Sequence, residues 1–126
     1  MDEIARKNPL ALAFLGDAAI KLWVSHIFVG TFDMSINDLH KMTSSIVCAK
    51  NQSEVYEEMY HTFSDIEQNI ATRAFNAKHK TVPKNCTMKE YRQATAYEAV
   101  VGYRSLSEDK KVYSLVNPLI ENGIKR

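Results

Sequence analysis

Residues Leu10 to Val24, in the order Leu-Ala-Leu-Ala-Phe-Leu-Gly-Asp-Ala-Ala-Ile-Lys-Leu-Trp-Val, are apolar on nearly every side of a helix. A helix with so little polar face belongs at the centre of a fold, with other helices around it. Asn8-Pro9 precedes the stretch as an N-cap and a first-turn proline, which predicts a helix from Pro9 to about His26. The stretch is long enough to suggest a membrane span, but Asp17, Lys21 and His26 interrupt it, where a spanning helix needs about 20 mostly uncharged residues. A buried helix is the better reading, with no membrane partner. Asp17 is then the anomaly, because an unpaired charge is costly to bury, and the leading partner is a cation.

The remaining chain reads as further helices. Ser35-Ile-Asn-Asp38 resembles a capping box with Asp in place of Glu, and Ile36, Leu39, Thr43, Ile46 and Val47 follow at helical spacing. That helix continues or restarts through Val55 and Met59. Ser64-Asp-Ile-Glu67 is a full capping box opening a helix with Ile66, Ile70 and Ala74 as its buried stripe, ending near Asn76-Ala77. Lys78 to Cys86 forms a loop containing Pro83. Thr87-Met-Lys-Glu90 opens a helix to about Leu106, on which Tyr91, Thr95, Glu98 and Gly102 share a face. A last helix starts near Ser107, with Asn117-Pro118 expected to kink or divide it and Gly123 to close it. No segment alternates with period two, so the expected class is all-α, in a single domain over residues 1–126.

With 126 residues, 45% of them apolar and 25% charged, the chain suits one ordinary domain. Its N-terminus is acidic before it is basic and meets no small-residue cleavage site, which predicts an intracellular protein. Cys48 and Cys86 have no metal-ligand spacing and read as free thiols. Between Arg73 and Arg92 the cations Arg73, Lys78, Lys80, Lys84, Lys89 and Arg92 face Glu90 alone, while the rest of the chain is net acidic. Such a segment is either a solvated loop or a phosphate-binding surface.

Glu98 repeats the puzzle of Asp17, as one acid in the apolar run Ala94 to Gly102. Ala13 and Gly16 beside Asp17, and Ala94 and Gly102 flanking Glu98, let two helix axes approach closely, so the acids can converge. Converging carboxylates repel unless a proton or a hard cation lies between them, and Mg²⁺ takes such oxygen ligands together with water and phosphate. The ordinary alternative pairs Asp17 with Lys21, and Glu98 with Arg92 or Arg104.

Phe14-Leu-Gly-Asp17-Ala resembles the signature of the ribonuclease III catalytic domain, and Tyr97-Glu98-Ala-Val-Val-Gly102 its second acidic motif. More closely, five blocks in order resemble mini-ribonuclease III: Leu10 to Ala18, Asp38-Leu-His-Lys41, Asn76-Ala-Lys78, Thr81-Val-Pro-Lys-Asn85, and Tyr91-Arg-Gln-Ala-Thr95 with Glu98-Ala and Gly102-Tyr103. This resemblance implies the ribonuclease III helical fold and a homodimeric endonuclease that cuts opposite strands of double-stranded RNA. It implies Asp17 and Glu98 as catalytic acids that bind Mg²⁺, with Mn²⁺ as a substitute. It implies Ala13 and Thr95 where the full-length enzymes carry two further acids. It further implies a pre-ribosomal RNA substrate from the large subunit, a ribosomal protein as candidate partner, and a cytoplasmic location, or an organellar one in a plastid-bearing eukaryote. With no second RNA-binding domain in view, Arg73, Asn76, Lys78, Lys80 and Lys84 are the expected RNA contacts.

Two places depart from the mini pattern. Ala74-Phe75 stands where Gly-Arg is usual, and Lys21 where an acid is common. His40 reads as a helix-surface residue, and Trp23, Phe28, Tyr97 and Tyr103 as packing residues. The competing functions are a noncatalytic domain of this type that binds structured RNA or a ribosomal particle, and a helical protein-interaction module.

Overall fold

The computed structural model describes residues 2–79, 81, 83–107 and 112–125. Among these there is no strand; the chain runs α1 (Pro9–Thr31), α2 (Ile36–Val47), α3 (Ala49–Met59), α4 (Asp65–Asn76), α5 (Met88–Leu106) and α6 (Val112–Lys125), with short 3-10 turns at Ile4–Arg6 and Tyr60–Thr62. Helix starts follow the caps in the sequence. Asn8 Oδ1 accepts the Leu10 N–H at 2.9 Å ahead of Pro9, and both Ser64/Glu67 and Thr87/Glu90 close reciprocal boxes. Ser35 Oγ accepts the Asp38 N–H, but the Asp side chain, one methylene shorter than Glu, does not complete that box.

The chain restarts between α2 and α3 at Cys48, whose backbone is extended. Two side chains from the first turn of α3 satisfy carbonyls left open by the end of α2: Asn51 Nδ2 donates to Ile46 O at 2.7 Å and Gln52 Nε2 to Val47 O at 3.0 Å. These amides fix the corner.

α1 lies against α5 at the centre, with Leu12, Ile20, Val24 and Phe28 of α1 and Tyr97, Val100 and Val101 of α5 fully enclosed. α3 and α4 also pack on α5, and α2 and α6 cover the other end of α1. α1 is long and apolar enough to span a membrane by length and composition alone, yet its neighbours here are helices. It runs about a turn beyond the expected end, since Phe28 remains buried past His26.

Other expectations are corrected. Ile36 is exposed at the start of α2, and Ile66 is exposed on the outer side of the first turn of α4, whose inward residue is Glu67; the α4 stripe is Glu67, Ile70, Ala71 and Ala74. Pro118 neither divides α6 nor does Gly123 end it. Leu115, Val116, Leu119 and Ile120 are buried on both sides of the proline, Asn117 Oδ1 accepts from Trp23 Nε1 at 2.8 Å, and this packing outweighs a local cost of about 3 kcal/mol. Gly123 sits against α2, where a Cβ would meet the end of the Ile46 side chain. The predicted start near Ser107 borders residues 108–111, outside the described residues, and α6 is described from Val112.

Trp23 stacks on Tyr113, Phe28 and Tyr97 are enclosed, Tyr103 donates to Asp2 Oδ2 at 2.6 Å, and His40 is exposed on α2. Both cysteines are free.

Candidate active site

Two glycines set the crossing of α1 and α5. A Cβ on Gly16 would lie 1.8 Å from the Glu98 carbonyl oxygen, and one on Gly102 would lie 1.9 Å from that of Leu12. The obstacle in each case is backbone, so only glycine permits this approach. Asp17 follows Gly16 in the chain, and the crossing therefore brings its carboxylate to that of Glu98, with which it interacts as a hydrogen-bond partner.

Burial, followed by the hydrogen bond and the charge of Asp17, pushes the Glu98 carboxyl up to about 8 from an ordinary 4.5; Gln52 and Lys21 pull the other way without cancelling the effect. Without a cation the pair thus retains a proton near neutrality. Lys21 Nζ sits 3.1 Å from Asp17 Oδ2, as the ordinary alternative supposed, and both side chains are substantially exposed. The other half of that alternative fails. Arg104 holds Glu67 through two hydrogen bonds of 2.6 and 3.2 Å, and Arg92 lies over the Phe75 ring at 5.8 Å from its centroid. Phe75, unusual at its position, thereby has a packing role.

The acids open into a cleft of about 500 Å³. Leu10, Ala13 and Phe14 form its α1 wall, Tyr91 and Thr95 its α5 wall, and Lys78, His79 and Thr81 come from the loop. Ala13 and Thr95 face this space without adding charge, and among the described residues no cluster of three or more His, Cys, Asp or Glu stands ready for a metal. The donor set nevertheless fits a hard divalent cation: two oxygen ligands, open on the Asp17 side, whose mutual repulsion such an ion would relieve.

Of the five expected RNA contacts, Lys78 alone lines this cleft among the described residues. Asn76 and Lys84 are exposed outside it, and Lys80 lies outside the described residues. Arg73 is committed elsewhere. Its guanidinium donates to Ala5 O, to Lys7 O at 3.4 Å and to Asn69 Oδ1 at 3.0 Å, tying the N-terminal turn to α4.

Two residues of this region were missed by sequence reasoning. His79 reaches the cleft from a loop and lies edge-on to Tyr91, with ring centroids 5.0 Å apart; loop position gives no periodic signal for it. Gln52 donates to Glu98 Oε2 at 3.5 Å, and its one trace in the sequence is an amide pair, Asn51-Gln52, on a helix's inner face.

Known proteins agree with this architecture. Residues 10–109 match the Ribonuclease III domain family. The chain is 35% identical over 116 residues to the Mini-ribonuclease 3 of Staphylococcus aureus, covering 90% of this chain and 87% of that one. It is 37% identical over 110 residues to the Mini-ribonuclease 3 of Brevibacillus brevis, covering 86% and 82%. A crystal structure of a Fusobacterium nucleatum protein superimposes with a TM-score of 0.85 at 33% identity, covering 96% of this chain and 98% of that one. The family generally depends on divalent metal, acts on double-stranded RNA and is generally dimeric. By fold and by these matches, the chain belongs to the ribonuclease III family of endonucleases, beside its mini-ribonuclease 3 members.

Proposed function

We propose that this chain is a Mg²⁺-dependent endoribonuclease that cuts double-stranded RNA as a cytoplasmic homodimer and matures a large-subunit ribosomal RNA precursor. The observation that carries the catalytic reading is the convergence of Asp17 and Glu98 at the Gly16–Gly102 crossing, in a cleft that also receives Lys78. Asp17 and Glu98 would hold the ion, which when bound supplies Lewis acidity for water attack on phosphorus. Lys78 neutralises phosphate beside the acids, while Lys84 and Asn76, with Lys80, extend the contact along the backbone of the duplex. Arg73 instead anchors the N-terminal turn to α4.

The dimer reading draws support from α1. Phe14, Leu22 and Val29 are 82, 65 and 65% exposed, and with Ala18 and Ser25, also exposed, they make a stripe at helical spacing along the face away from the core. A second copy laid on the same stripe would bury it symmetrically.

One observation favours the noncatalytic alternative: the Lys21 ammonium already occupies Asp17. Incubation of the purified chain and Mg²⁺ with long duplex RNA and with a pre-ribosomal stem separates the two. Cutting of duplex but not single strands is expected. Retained RNA binding with no cutting of either substrate would leave only the binding function.

A further inference from the structure

Asn51 and Gln52 are adjacent buried amides on α3 with the same local task, closing the end of α2, but only one is fully used. Asn51 donates to Ile46 O and to Leu119 O, and its oxygen accepts from Asn122 at 2.7 Å. Gln52 is 2% exposed and donates to Val47 O and Glu98 Oε2, while its Oε1 is buried without a partner. A buried amide oxygen left unpaired is a cost that native proteins seldom carry without a reason.

The Val47 carbonyl fixes the amide's orientation, since a flipped amide would set oxygen against oxygen. The NH₂ group is thereby turned to Glu98, and among the described residues it is the sole side chain that donates a hydrogen bond to that carboxylate. Its 3.5 Å length is of the kind that tightens when a ligand draws the carboxylate into place. The choice of an amide also has a chemical consequence. Lysine or arginine at this point would neutralise Glu98 and displace a cation, whereas an amide orients the carboxylate and leaves its charge available.

We infer that Gln52 is a positioning residue, which links the α2–α3 corner to Glu98 and holds that carboxylate in the rotamer facing Asp17 for a divalent cation. This rests on the reading of Asp17 and Glu98 as an ion-holding pair. Partners one step behind a ligating carboxylate typically change metal affinity by about 10- to 100-fold when removed.

The test is Mn²⁺ binding, followed by electron paramagnetic resonance of the free ion, for wild type, Gln52→Met, Gln52→Asn and Asn51→Leu. Both Gln52 variants should bind about tenfold more weakly or worse, with the metal concentration for half-maximal cleavage rising in parallel and kcat recovering at saturating metal. Asn51→Leu should lower Tm while leaving affinity unchanged. In the unaltered protein, the side-chain amide resonances of Gln52 should shift on Mg²⁺ addition and those of Asn51 should not, a readout independent of whether any variant folds. Unchanged affinity in the Gln52 variants, equal weakening in Asn51→Leu, or a static Gln52 amide would overturn the inference while the acids keep their role. Failure of the wild type to bind Mn²⁺ would overturn both.

Discussion

At the scale of single residues, two acids share one small space. Glu98 keeps its proton to about 8 when folded and to about 4.5 when unfolded, so between those values the folded state binds the extra proton. Stability of the metal-free protein therefore falls as pH rises through that window. Glu98→Gln removes the effect: in chelator, its Tm should exceed that of wild type at pH 8 by at least about 4 °C, roughly 1 kcal/mol in a domain of this size, and the gain should shrink toward pH 5. Thermal melts across that range check it. Lys21 is the second case. An exposed pair contributes at most about 1 kcal/mol, so Lys21→Ala should barely move Tm, while removing a cation that competes for Asp17 should lower the Mg²⁺ concentration for half-maximal cleavage severalfold. Both acids were legible in the sequence because a charge in an apolar helix stands out. Gln52 was not, because an amide beside a helix break has the same appearance whether it caps a carbonyl or orients a carboxylate.

At the scale of helices, small residues and caps decide geometry. Gly16 and Gly102 put α1 and α5 in backbone contact, so Gly16→Ala or Gly102→Ala should cost about 3 kcal/mol or more and lower cleavage beyond the loss of folded protein, because the helices must part and carry Asp17 away from Glu98. Denaturant unfolding with activity per folded molecule separates the two effects. On the opposite face of α5, Arg104 and Glu67 form a buried pair that ties it to the first turn of α4. Burial raises the Glu67 carboxyl, but hydrogen bonds from Arg104 and Ser64, together with the Arg104 charge, outweigh that and leave it lowered. Its contribution is thus present above about 4.5 and lost as pH falls, and Glu67→Gln should cost about 3 kcal/mol at neutral pH, read from denaturant midpoints. Helix starts were legible because caps are local chemistry. The course of α6 was not, because Pro118 is held in a helix by Trp23 and the buried residues around it, contacts distant in sequence.

At the scale of the molecule, a formal net charge of +1 conceals a division of labour. Lys78 of the basic segment lines the cleft, while Arg73, expected beside it as an RNA contact, holds the N-terminal turn. Replacing Lys78 and Lys84 by Glu should weaken duplex RNA binding and flatten its salt dependence, whereas Arg73→Ala should act through stability; binding across a salt series with parallel melts distinguishes them. The class of fold and the family could be read from the helical pattern and the order of motifs. The part played by each cation depended on where its side chain ends, which spacing does not encode. The most direct measurement is cleavage of a long RNA duplex in Mg²⁺ by wild type, Asp17→Asn and Glu98→Gln, each shown folded by circular dichroism. Cutting by the wild type and a loss of at least about 100-fold in both variants are expected; wild-type rates in either variant would rule out Asp17 and Glu98 as the catalytic pair.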